Sequence, residues 1–145
     1  MIRILAILLL ILLTSCGDDS RVKGLIEAAG EGNIDRMSLL IDGGANINGV
    51  ALDGWTPLTQ AAYAGQVEAV KLLLVRGADI NRGAVTPLYW TAFRGHFELA
   101  EYLARSGARL KLDPAGKASF LDRVRSYNND QLNNLVAEVM ARENS

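Results

Sequence analysis

Two series of glycines divide the chain at a common interval. Gly32-Asn33, Gly65-Gln66 and Gly95-His96 form one, Gly44-Ala45, Gly77-Ala78 and Gly107-Ala108 the other, and both step by 33 residues and then by 30. A period of this length means stacked copies of one small unit, each too small to bury its apolar side alone, rather than one irregular globule. Residues that fit the pattern are then scaffold, and those that break it are candidates for anything specific.

The unit is clearest from Gly54 to Asn81, which reads GWTPLTQAAYAGQVEAVKLLLVRGADIN. Pro57 and Pro87 suit the first turn of a helix, where a missing N–H costs nothing, and Thr56 and Thr86 stand just ahead as N-caps. Ala61, Ala62 and Ala92 are small where neighbouring helices must approach closely. Gly44, Gly77 and Gly107 suit a left-handed residue just past a helix C-terminus, and Asn48-Gly49 and Asp53-Gly54 are turn dipeptides. Asn48 to Thr56 spans eight positions and Asn81 to Thr86 only five. The second connecting hairpin is therefore expected to be stubby while its helices keep full length.

Thr-Pro-Leu, Ala-Ala, Gly, Leu-Leu and Gly-Ala-Asp-x-Asn, in that order and spacing, resemble an ankyrin repeat. The resemblance implies an all-α fold, a short ankyrin-repeat solenoid of helix-turn-helix pairs joined by hairpin loops. It predicts three repeats plus C-terminal capping helices over residues 22–145, strongest from Val22 to Leu110. The first copy is degenerate at its start, with Lys23-Gly24-Leu25 in place of Thr-Pro-Leu, and is expected to act as an N-terminal cap. Beyond Lys111 the motif fades, although Ser119-Phe120-Leu121 lies where Thr-Pro-Leu would fall. Leu132, Leu135, Val136, Val139 and Met140 then recur on one face of a helix. The polar residues Asn128 to Gln131, Asn133 and Asn134 beside them suit the outer surface of a terminal cap.

Ahead of the repeats, Ile4 to Leu13 reads ILAILLLILL behind Arg3. Such a run, about 10 residues against the roughly 20 needed to span a bilayer, has the layout of a secretory signal. Leu13-Thr14-Ser15-Cys16, at its end, resembles the lipobox of bacterial lipoprotein precursors and uses the chain's single cysteine. The resemblance implies a cleaved signal peptide over residues 1–15, a diacylglyceryl group on Cys16 and a lipidated tether over residues 16–21. With one cysteine, no internal disulfide can form. Extended, Gly17 to Arg21 reach less than roughly 20 Å, so the domain is expected to lie close to the membrane. Gly17 rather than Asp follows Cys16, which for a Gram-negative lipoprotein favours the periplasmic leaflet of the outer membrane.

Half of the 145 residues are hydrophobic, enough for one domain with a sizeable core. The 15 basic and 16 acidic residues are scattered, and without a cationic cluster no nucleic acid partner is implied. Nor is an enzyme: no Ser/His/Asp grouping, metal-ligand cluster or phosphate-cradling loop is visible, and the single histidine, His96, sits at a repeat turn. No cofactor, metal or small-molecule substrate is expected.

The resemblance does imply where a protein partner would bind, on the hairpin tips and the concave face of each first helix. Those positions hold Leu52, Asp53, Trp55, Tyr63 and Ala64 in one repeat and Val85, Phe93 and Arg94 in the next. Tyr89 and Trp90 replace smaller residues usual in the family and either fill space between helices or join the surface. Trp55, Tyr63, Tyr89, Trp90, Phe93 and Arg94 are therefore the candidate protein-binding residues, of the kinds that dominate binding hot spots. Two roles fit: an immunity lipoprotein that blocks an antibacterial toxin, such as a secreted phospholipase effector, or a structural adaptor for a periplasmic enzyme or envelope complex.

Overall fold

The computed structural model describes residues 19–143, and every regular element among them is a helix. The proposed signal segment and Cys16 lie outside the described residues. Helix α1 spans residues 19–31 and is followed by α2 (Ile34–Asp42), α3 (Pro57–Ala64), α4 (Val67–Val75), α5 (Pro87–Arg94), α6 (Phe97–Arg105), α7 (Pro114–Arg125) and α8 (Asp130–Glu143). Within the first three pairs the chain reverses at Gly32, Gly65 and Gly95, with φ of +69°, +72° and +80°. The fourth pair uses Asn128, at φ +50°, one of the few side chains that tolerate the left-handed region.

The pairs stack into two layers. First helices pack in succession, α3 on α5 and α5 on α7, while α2 packs on α4 and α6 on α8 in the other layer. Between the layers lie Leu25, Met37, Leu58, Leu73, Leu88 and Leu103, none more than 1 % exposed, with Ala61, Ala62, Ala92 and Ala100 at the closest approaches. Each fully buried leucine contributes about 2 kcal/mol by leaving water, so the repeated leucines and alanines, rather than local propensity, hold helices this short together. This is the all-helical solenoid expected from the repeat.

The connections between pairs project as hairpin fingers and shorten along the chain, from residues 43–56 to 76–86 and 106–113. The second is three residues shorter than the first, as the spacing predicted. Asn48 and Asn81 staple one finger to the next. Asn48 donates from Nδ2 to the Gly77 carbonyl (3.2 Å) and accepts from the Asp79 N–H (2.7 Å); Asn81 repeats the pattern with Gly107 (3.3 Å) and Arg109 (2.8 Å).

Three local expectations need adjusting. Thr56 caps α3 by accepting from the Thr59 N–H (3.1 Å), but Thr86, at the same position before α5, does not cap. Its hydroxyl is buried and donates instead to the Leu110 carbonyl (3.3 Å), which ties the second finger to the third. Counting back from the turn at Asn128, Ser119-Phe120-Leu121 keeps its place in the repeat, yet α7 starts earlier, at Pro114. There the Asp113 carboxylate accepts from the Gly116 N–H (2.8 Å), so Asp113-Pro114 supplies the start signal and adds a turn. Residues 19–21, placed in the tether by the sequence, are already helical, and Lys23 lies inside α1.

Candidate functional site

The six candidate binding residues come from a finger and two helices, and the fold brings them into one patch. Trp55 closes the first finger, where the Asp53 carboxylate accepts from its backbone N–H (3.2 Å) in a tight turn and so sets its direction. Tyr63 projects from α3, and Tyr89 and Trp90 from one turn of α5 with Phe93 on the next.

Trp90 lies at the centre. Its indole stacks on that of Trp55 with centroids 5.2 Å apart and planes 23° from parallel. It meets Tyr63 edge-to-face at 5.2 Å, Tyr89 at 5.1 Å and Phe93 at 6.0 Å. Trp55 and Tyr63 close the triangle at 5.2 Å. These are the offset and perpendicular geometries that the ring quadrupoles favour. Each of these rings is half-buried, so the patch leaves part of its apolar surface exposed while its rings are held by one another.

Tyr89 is the supporting member. It stacks on Phe93 (5.5 Å) and, across to the next repeat, on Phe120 of α7 (4.9 Å). Burial pushes its phenol pKa above the ordinary tyrosine value. Tyr89 thus packs between repeats, whereas Trp90 sits at the centre of the ring cluster.

Arg94 is exposed, and its guanidinium lies 4.6 Å above the Tyr63 ring. A second cation, absent from the sequence-based set, completes the edge. Arg123 of α7 lies over both Phe93 (5.4 Å) and Tyr127 (5.1 Å), with Nε directed at the Phe93 carbonyl (3.4 Å). Tyr127 donates its hydroxyl to the same carbonyl at 2.6 Å. Phe120 and Arg123 share a face of α7 by their spacing of three, and Tyr127 follows in the turn after the helix, in a region where the repeat motif has faded.

His96 plays the scaffold part expected of it: its ring hydrogen-bonds the Tyr63 carbonyl at 3.1 Å and covers Gly65. A side chain on Gly65 would meet that ring at 2.7 Å. Gln66 makes the equivalent bond to the Gly30 carbonyl (3.2 Å), so Gln66, His96 and Tyr127 do one job in three successive repeats. On the opposite layer a groove of about 530 Å³ runs between α6 and α8, floored by Phe97 and Leu132 and crossed by a Gln131 to Glu101 hydrogen bond (3.1 Å). No group of three or more His, Cys, Asp or Glu side chains among the described residues could hold a metal ion. No helix among them is long and apolar enough to cross a membrane.

Comparison with known proteins agrees with this geometry. A family profile described as Ankyrin repeats (3 copies) matches residues 5–84 and 25–114. Ankyrin repeat and KH domain-containing protein 1 of Homo sapiens is 40 % identical over 98 residues, 64 % of this chain and 4 % of that protein. An ankyrin repeat protein of Rickettsia felis is 35 % identical over 81 residues, 55 % of this chain and 44 % of that one. The 2-5A-dependent ribonuclease of Mus musculus is 44 % identical over 66 residues, 45 % of this chain and 9 % of the ribonuclease. In each case the chain spans less than half the length of its relative.

Proposed function

The chain belongs to the ankyrin-repeat family, a protein-interaction module, and on that premise we propose that it is a lipid-anchored immunity protein whose aromatic face captures and blocks an antibacterial toxin in the periplasm. The observation that carries the binding half of this reading is the stacked Trp55–Trp90 pair with Tyr63, Phe93 and Arg94 around it. Aromatic rings and arginine in a central cluster are what binding hot spots are made of, and rings already held by one another lose little freedom when a partner docks. The anchoring half rests on Leu13-Thr14-Ser15-Cys16 directly behind the apolar run. A thioether lipid at Cys16 would hold the domain at the envelope, where a toxin acting on membrane lipids, such as a secreted phospholipase, must pass.

Co-culture tests the reading. A strain lacking the chain should be killed by toxin-delivering siblings and rescued by the full-length chain, but not by folded Trp55→Ala or Phe93→Ala. Deletion that leaves survival among siblings unchanged contradicts the immunity role. Loss of an envelope complex in that same strain would identify a structural adaptor instead.

A further inference from the structure

From α2 onward, charge is segregated between the two layers of the stack. The second helices α2, α4, α6 and α8 carry eight carboxylates against four cations. The first helices α3, α5 and α7 carry four cations, Arg94, Lys117, Arg123 and Arg125, against one carboxylate, Asp122. The first helix of the stack, α1, departs from this, with Asp19, Glu27 and Glu31 against Arg21 and Lys23; Glu27 and Glu31 are both held by Arg36, at 3.3 Å each, and the Asp53 carboxylate of the first finger is engaged by the Trp55 N–H.

The cations also differ in how they are used. Three of the four second-helix cations, Arg36, Lys71 and Arg105, form ion pairs, as does Arg76 just past α4, whereas among the described residues none of the four cations on α5 and α7 does. Two of them flank the aromatic patch with the guanidinium carbon over a ring: Arg94 over Tyr63, and Arg123 over Phe93 and Tyr127. A guanidinium held over a ring without an ion pair keeps N–H groups that can bind a carboxylate through two parallel hydrogen bonds. In Arg123, Nε is directed at the Phe93 carbonyl, so its two terminal nitrogens remain for a ligand.

We infer that the partner docks an acidic peptide segment here, one in which a carboxylate stands beside an aromatic or aliphatic side chain. The carboxylate binds Arg94 or Arg123, and the apolar group lies against Trp55 and Trp90. This inference rests on the aromatic face being the binding surface. Prior ordering of both guanidiniums lowers the cost of fixing them at an interface, and like-charge exclusion by the cationic layer turns away basic segments. A flat anionic membrane would also attract the arginines, and binding to vesicles in place of peptides is the outcome that separates it.

Selection of random displayed peptides on the immobilised full-length chain tests it. Enriched peptides should carry Asp or Glu next to an apolar residue, and their binding should weaken at least about tenfold in the Arg94→Glu, Arg123→Glu double variant and fall with added salt. Circular dichroism first establishes that this variant is folded. If it is not, Arg94→Gln with Arg123→Gln takes its place, with the same expected direction. Enriched peptides without acidic residues that are lost on Trp55→Ala overturn the inference and leave the binding face standing; peptides indifferent to both Trp55→Ala and Phe93→Ala overturn the face itself. No enrichment, or arginine-dependent binding only to phosphatidylglycerol vesicles, also overturns the acidic-peptide assignment.

Discussion

The indole of Trp55, at the end of a finger, lies on the indole of Trp90, in the middle of helix α5, with centroids 5.2 Å apart. The base of one finger and the first helix of the next repeat are thus joined by a ring pair, beside the Asn48 hydrogen bonds that staple the fingers themselves.

This relationship predicts unequal losses. Trp90 contacts four rings and Trp55 two, so Trp90→Ala should cost about 2–3 kcal/mol of unfolding free energy and Trp55→Ala about 1 kcal/mol. A double-mutant cycle should show roughly 0.5–1.5 kcal/mol of coupling between them. Denaturant titration reads all three quantities, and additive losses would mean that the stack carries no energy.

Tyr127 offers a cleaner test because one atom can be removed. Tyr127→Phe keeps the ring against Gly95 and Phe97 but deletes the 2.6 Å hydrogen bond to the Phe93 carbonyl. The expected loss is about 1 kcal/mol. A melting temperature equal to wild type would show that Arg123 and water satisfy that carbonyl without it.

The last helix should be indispensable. α8 buries Leu132, Val136 and Val139, and the Glu143 carboxylate accepts from the Leu110 N–H at 2.6 Å. A chain ending before Asp130 exposes the apolar side of α6 and should aggregate, since a solenoid needs a terminal unit with a polar outside. An unchanged melting curve for that truncation would remove the capping role.

Anchoring is decided by labelling. Cells fed labelled palmitate should incorporate it into the wild-type chain and not into Cys16→Ser. Label retained on the variant would place the acyl group elsewhere and end the lipoprotein reading.

Much of this architecture was legible because a repeat repeats. Glycine spacing located three of the four helix-pair turns, and the three-residue deficit located the short finger. The six candidate residues were found by sorting positions within the unit, and all six meet in space. What escaped lay where register was lost. Phe120 and Arg123 join the patch from α7, and Tyr127 from the turn after it; the helix's start signal, Asp113-Pro114, replaces the family's motif and shifts the helix boundary. Thr86 looked like Thr56, but a hydroxyl in a shortened finger reaches the Leu110 carbonyl before it reaches its own helix, and no local pattern encodes that competition. The separation of charge between layers emerges only when helices are assigned to layers.

The central claim is that partners bind on the aromatic face. A photo-crosslinking amino acid placed at Tyr63 or Arg94 on that face, and at Val75 or Tyr102 on the second-helix layer, tests it in the cells that make the protein. The account predicts a discrete crosslinked adduct from Tyr63 and Arg94 and none from Val75 and Tyr102. Adducts from Val75 or Tyr102 alone would move the binding surface to the opposite layer and contradict it.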